Sequence, residues 1–329
     1  MKAFTKKWTA RSLALAAVLG LVAGVAQAQA PHKMEIVIFG APSLGALLPP
    51  IIKAQKFDEK NGLDITFQTR PPDAYAAQFN SGEFQIGGSA ALLTIGLADL
   101  RGLKVSYLFN VFDYFGTIVT DKPEIKTVAD LKGKELAAAS GTTNFKMAVF
   151  FAQQQKLDIA DVKVVNTAPP GLIGYALADR ADAVQIWEPA YSTLLSKKPS
   201  LRTLDLDIQR SWRAFSGGDK IPYLGVAAHT EWVQKNKALV PALYRTYKQA
   251  AQWLAANPAE AAKVVRPKSD AAGLAVMEKL IRDNGRLGMN VQAASELRKE
   301  IEAVYRAGQA IGYLPKTPSA GSVYDGRLE

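Results

Sequence analysis

From residue 34 onward the chain alternates short apolar runs with longer stretches of helical spacing. Ile36, Val37, Ile38 and Phe39 form a near-continuous apolar run, the pattern of a parallel strand covered on both faces, and predict a strand over 34–39. Pro49-Pro50 opens a helix, because the amides of a first turn are unpaired in any case. That helix turns Ile51, Ile52 and Ala54 inward and ends at Asn61-Gly62, a left-handed cap. Strands follow over 63–68, 84–87 and 105–109. Between them lie helices over 74–80, stopped by Ser81-Gly82, and from Gly88-Ser89-Ala90 to Leu100. This rhythm predicts a mostly parallel sheet with helices on both faces.

A further set repeats the architecture without repeating the sequence. Strands are predicted over 115–120, 135–139, 162–166 and 183–186. Val128 to Lys134 holds a short helix with Gly133 as its stop, Gly141-Thr142-Thr143 opens a helix running to about Lys156, and 169–179 contains another. A strand over 222–228 returns to the first set. The rest is mostly helical. Val240, Tyr244, Tyr247, Ala251 and Leu254 make one apolar stripe at helical spacing, and Asn257-Pro258 ends that helix and starts the next.

The N-terminal residues carry a different signal. Lys2, Lys6, Lys7 and Arg11 precede a short apolar run over 13–25, and Ala26-Gln27-Ala28 supplies small residues at the −3 and −1 positions of a signal-peptidase site. The run is shorter than the roughly 20 apolar residues of a membrane span. Residues 1–28 are therefore expected to be a signal peptide, cleaved after Ala28. The chain has no cysteine, which removes disulfides, thiolate metal sites, cysteine nucleophiles and a lipid-anchoring cysteine at once. A periplasmic protein held together by its core is expected, and 329 residues suffice for more than one domain. The formal charge of +10 includes the leader's four cations. Without them the balance is about +6, dispersed rather than blocked, which argues against nucleic acid; it reads first as a solvated basic surface, and a mild positive field would also suit a small anion.

Several segments carry a family likeness. They are the helix end Lys56-Phe57-Asp58-Glu59-Lys60-Asn61-Gly62-Leu63, the stretch from Phe79-Asn80-Ser81-Gly82 to Gly87-Gly88-Ser89, and Thr127 to Lys134 followed by Ala138-Ala139-Ser140-Gly141-Thr142-Thr143. Ala181-Asp182-Ala183-Val184-Gln185-Ile186-Trp187-Glu188-Pro189 and Asn257-Pro258 complete the set. In this order they resemble the periplasmic substrate-binding proteins of ABC importers, in the nitrate/sulfonate/taurine branch. That branch also takes in binders of thiamine-precursor pyrimidines and of aromatic acids. Two positions depart from the pattern: Gln85 stands where the family commonly has aspartate, and Trp187-Glu188-Pro189 where it often has Trp-Asp-Pro.

The resemblance implies an α/β, two-lobed periplasmic binding protein fold. Each lobe is a mostly parallel sheet flanked by helices, and a two-strand hinge joins them. The lobes would be 31–112 with 224–329, and 113–223, with the ligand between them. Ligands of open α/β sheets bind beyond the carboxyl ends of strands. The turns expected there are Ser43-Leu44, Gly88-Ser89-Ala90 and Gly141-Thr142-Thr143. Glycine admits a ligand close to the backbone, hydroxyls donate, and helix starts add unpaired amides. Such turns would grip an anionic head group without a fixed cation. Trp187 is the expected wall for an apolar ligand body, and Glu188 the expected partner for an ammonium. Phe109, Asp113 and Tyr114 near the first crossover are expected to line the cleft. Arg70 is a further candidate anion partner.

The function expected is capture of a small organic anion, sulfonate, taurine-like or aromatic carboxylate, and its delivery to an inner-membrane permease. No metal or cofactor is expected, and the chain should be a monomer. Two enzyme types share the fold, but the desulfinase type relies on a cysteine and the thiamine-pyrimidine synthase type on histidines, and here there are only His32 and His229. No phosphate-binding loop or Gly-x-Ser-x-Gly elbow is present. A binding protein serving a membrane sensor would have the same sequence features.

Overall fold

The computed structural model of the chain describes residues 30–329, so the expected signal peptide at 1–28 lies outside the described residues. β1 (His32–Phe39) leads to α1 (Leu48–Ala54), α2 (Phe57–Lys60) and β2 (Leu63–Arg70). α3 (Pro72–Asn80), β3 (Ile86–Ala91), α4 (Leu92–Leu100) and β4 (Val105–Asp113) follow. The helix expected to run from Pro49 to Asn61 is broken: Lys56 takes φ 55° and starts the single turn of α2, which Gly62, at φ 75°, then closes. The chain next makes β5 (Thr117–Thr120), β6 (Glu135–Ala138), α5 (Thr143–Gln154), β7 (Lys163–Asn166), α6 (Gly171–Leu177), β8 (Ala183–Ile186), α7 (Ala190–Lys197), β9 (Arg202–Leu204) and α8 (Ile208–Ser216). It finishes with β10 (Pro222–His229), α9 (Thr230–Lys235), α10 (Leu239–Ala256), α11 (Pro258–Val265), α12 (Ala271–Arg282), α13 (Asn284–Leu287), β11 (Met289–Ala293) and α14 (Arg298–Ala310).

Two sheets result, in the orders β11-β4-β10-β3-β1-β2 and β7-β6-β8-β5-β9. Both are mixed rather than mostly parallel. β1 pairs parallel with β2 and β3, and β6 with β7 and β8. β10, arriving from the other sheet, slots antiparallel between β3 and β4, and β5 runs antiparallel to β8 and β9. The reason is connectivity. Strands linked by helical crossovers run the same way, whereas strands that leave or re-enter a sheet at the crossover run against them. The chain passes from the first sheet at Asp113 to the second at Thr117, and back between Leu204 and Pro222.

The first sheet is covered on both faces, and its strands are apolar for that reason. Ile36 and Val37 of β1 are fully buried although they point to opposite faces. The stripe on α10 behaves as its spacing predicts: Val240, Tyr244, Tyr247, Ala251 and Leu254 are all buried. Each such large side chain contributes roughly 1.5–3 kcal/mol of burial free energy.

One expectation is overturned at β3. Gly88-Ser89-Ala90 is not a turn opening a helix; it lies inside β3, and α4 starts after it at Leu92. The small residues serve packing. A Cβ on Gly87 would come within 2.4 Å of the Tyr75 hydroxyl, and one on Gly88 within 2.8 Å of the Tyr247 hydroxyl. Thus α3 and α10 press on opposite faces of β3 at consecutive residues. α7, β9, α8 and β11 are elements that the pattern of the chain did not predict; β9 is three residues long, and β11 is a half-buried edge without clean alternation.

Candidate functional site

The helices that follow the carboxyl ends of β3 and β6 meet at a seam between the two sheets. Thr94, in the first turn of α4, and Thr143, the first residue of α5, bring their hydroxyl oxygens to 3.2 Å across it. Lys146 of α5 reaches over the ring of Tyr313, 5.5 Å from its centroid, and burial lowers its pKa. α14 also packs on α5 and α8, and α12 on α7.

Thr142 is the N-cap of α5: its Oγ1 accepts from the Phe145 amide at 3.2 Å and donates to the Ala139 carbonyl at 2.8 Å. Gly141 beside it is exposed, and nothing lies within 4 Å of where its Cβ would be. Of the expected turns, this one stands open at the seam. Ser43 caps a short 3-10 turn at Leu44–Ala46, accepting from the Gly45 amide at 3.2 Å; it is half-buried, whereas Leu44 is buried in the core. Trp187, just past β8, is half-buried, next to the Phe115–Tyr191 ring pair at 5.7 Å.

Other expected cleft residues are placed elsewhere. Gly88, Ser89 and Ala90 are buried in β3, and the Ser89 hydroxyl accepts from the Phe39 amide at 2.9 Å, tying the end of β1. Phe109 is a core residue, its ring edge-on to Tyr244 and Tyr247 at 5.4 Å each, because alternation along β4 turns it toward α10. Tyr114 is also buried, stacked on Phe151 at 5.7 Å with its hydroxyl donating to the Asn144 carbonyl. Arg70 is spent within the first sheet's own surface, donating to Gln78 and to the Thr69 carbonyl.

Asp113 belongs to the crossover itself. Its amide donates to the Gly288 carbonyl at 2.6 Å, and its carboxylate accepts from Asn110 at 3.0 Å and from Asn290 at 3.0 and 3.2 Å. Burial nevertheless wins over these bonds and pushes the carboxyl up to about 6.

Glu188 is not available to an ammonium. It is fully buried; Oε1 accepts from Arg286 Nη2 at 2.6 Å and Ser192 Oγ at 2.8 Å, and Oε2 from the Ser192 amide at 3.1 Å. Arg286, which pairs with Glu188 from 98 positions away, is the residue that sequence reasoning missed, with no local motif to mark it. Among the described residues no group of three His, Asp or Glu side chains is placed to hold a metal. A surface hollow of about 390 Å³ lies between Gly82, Gln85, Lys104 and His229, at the amino end of β3, away from the seam. His229 there is tied to the Phe79 carbonyl at 2.7 Å.

A family model described as NMT1/THI5 like matches residues 53–261, nearly two thirds of the chain. The chain belongs to the NMT1/THI5-like family. Among solved structures, this family member is similar to the periplasmic aliphatic sulphonate binding protein SsuA of Escherichia coli, at 18% identity and TM-score 0.69 over 88% of this chain and 95% of that one. It is similar also to the alkanesulfonate-binding protein SsuA of Xanthomonas axonopodis pv. citri bound to MOPS, at 22% identity and TM-score 0.72 over 89% and 98%. These likenesses establish the periplasmic binding protein fold. A Brucella abortus protein named as a binding protein is 22% identical over 223 residues, 67% of this chain; the match spans 66% of that relative's length.

Proposed function

We propose that this NMT1/THI5-like chain is the periplasmic solute-binding component of an ABC importer. It captures a small organic anion between two lobes, 31–112 with 224–329 and 113–223, and hands it to an inner-membrane permease. The observation that carries the reading is the seam. Two sheets joined by two crossings meet where the helices after β3 and β6 begin, with Thr94 against Thr143 and the open Gly141-Thr142 helix start beside Thr143. The folds of the sulfonate-binding neighbours, and the binding-protein name of the Brucella relative, support it. Trp187 and the Phe115–Tyr191 pair favour a ligand with an apolar body over a bare inorganic ion. A non-catalytic role fits a chain without cysteine, whose His229 is engaged at the far end of the sheet.

A thermal-shift screen tests this. The mature chain, unfolded and refolded to strip any bound solute, is challenged with alkanesulfonates, taurine, benzoate and phthalate isomers, nitrate and aminopyrimidines. A ligand at about a hundred times its Kd adds about 2.7 kcal/mol to stability. A hit among the organic anions supports the reading, and hits confined to nitrate or to pyrimidines overturn the ligand class.

A further inference from the structure

The Glu188–Arg286 ion pair ties one sheet to the other. Glu188 follows β8 of the second sheet, and its side chain is fully enclosed. Two of its hydrogen bonds are local, from the Ser192 amide at 3.1 Å and the Ser192 hydroxyl at 2.8 Å, and these hold the carboxylate in place. The bond from Arg286 Nη2, at 2.6 Å, comes from the far side of the crossing. Arg286 sits on α13, which runs straight into β11 at the edge of the first sheet. Its backbone is pinned there. Asp283 accepts from the Arg286 amide, Asn284 exchanges bonds with both backbone groups of Met289 at 3.0 and 3.2 Å, and the Gly288 carbonyl accepts from Asp113 at the crossover. The side chain reaches the opposite way: Glu188, Ser192 and the Tyr191 ring, 4.7 Å from the guanidinium, all belong to 188–192. One residue anchored on the first sheet thus grips the second. The grip can also let go. Arg286 keeps 29% of its side chain in water, and Asp283 of its own element stands 3.9 Å away as an alternative partner. The other named contacts across the seam, Thr94 on Thr143 and Lys146 over the Tyr313 ring, lack an opposite charge. A charge-assisted bond is roughly twice as strong as a neutral one, so the ion pair dominates this set.

We propose that the Glu188–Arg286 pair is a latch between the lobes, which keeps them shut when no ligand is bound and so gates entry to the site; this rests on the binding reading. Neither residue touches ligand. The pair is made whether or not the cleft is filled, so it favours the empty closed form and the filled closed form alike. Such an element sets rates and leaves affinity nearly unchanged, because a shift needs a difference between the two states. Solute enters and leaves only through the open fraction, which the latch keeps small. Loosening it speeds association and dissociation together.

Stopped-flow binding and small-angle scattering on the refolded mature chain test the latch, with hexanesulfonate and benzoate as probes. Glu188→Gln keeps the Ser192 bonds and exchanges the charge-assisted bond for a neutral one. Its association and dissociation rates should each rise by about tenfold, with Kd within about twofold of the wild type. The double variant Glu188→Gln/Arg286→Gln leaves no unpaired charge, and it should show the same paired rise even where the single variant folds poorly. A pair that touched ligand would change Kd instead, and a merely structural pair would lower the melting temperature with the rates unmoved. Ligand-free wild type should already have the radius of gyration of the probe-saturated chain. Unchanged rates in the folded variants, or a wild type that contracts on binding, overturn the latch while leaving the binding reading intact. A wild-type chain that binds neither probe overturns the binding reading and the latch with it, since there is then no site to gate.

Discussion

Gly87-Gly88-Ser89 of the first sheet and Gly141-Thr142-Thr143 of the other share one sequence pattern: small residues, then a hydroxyl, at the end of an apolar run. Their fates differ. In the first, the glycines lie under Tyr75 and Tyr247, and the serine hydroxyl is buried against the Phe39 amide. At the other, the glycine is open to solvent, and the threonine caps a twelve-residue helix. The difference lies in what covers each segment. β3 is a central strand flanked by β1 and β10 and pressed by helices on both faces. Gly141 has left its strand, where no neighbour covers it. A glycine beside a hydroxyl thus marks a packing constraint in one place and an open helix start in the other.

Substitutions put the contrast to the test. The largest expected effect is from Gly88→Val, whose side chain would start 2.8 Å from the Tyr247 hydroxyl and 2.9 Å from the Ile36 and Ile38 methyls. Overpacking of this kind costs about 3 kcal/mol, visible as a lower denaturant midpoint. Ser89→Ala removes the acceptor of the half-buried Phe39 amide and is expected to cost about 1 kcal/mol in the same measurement.

The crossover between the sheets should respond to pH. The Asp113 carboxyl is raised to about 6 in the folded chain, above its ordinary value of 3.8. The folded state therefore holds its proton more tightly than the unfolded state does, and stability falls as pH rises from about 4 to 6. The penalty is complete above 6 and relieved below 4. At about 1.4 kcal/mol per unit, it comes to about 2 kcal/mol after allowance for partial exposure. Asp113→Asn should remove that slope, so the unfolding free energy of the wild type relative to the variant declines by that amount between pH 4 and 7.

At the Gly141 turn the effects are smaller. Thr142→Ala loses the cap on the Phe145 amide, at about 1 kcal/mol. Gly141→Ala, with open space around it, should change stability by less than about 0.5 kcal/mol. If this turn is where the ligand approaches, Gly141→Ala should still weaken binding in calorimetry. A Gly88→Val variant as stable as Gly141→Ala would remove the contrast.

Local patterns in the sequence were enough for the strand over 183–186, the helix through Tyr244 and Tyr247, the proline-opened starts of α1 and α11, and the two-set α/β order. These depend on periodicity and backbone chemistry within a few residues, which any window of the chain carries. The family likeness placed Trp187 and Gly141-Thr142-Thr143 at strand ends, and the fold puts them there. Long-range packing alone chose which small residues are covered and which charges are paired. Phe109 and Ser89 sit at positions whose local pattern suits a core and a turn equally, and only the packing of α10 and the end of β1 chooses between them. Glu188 reads as a free carboxylate until Arg286, 98 residues away in sequence, arrives from the last helices to pair with it. Charge pairing at that separation leaves no periodic trace, because it is set by how distant helices pack on one another rather than by the spacing of residues along any one of them.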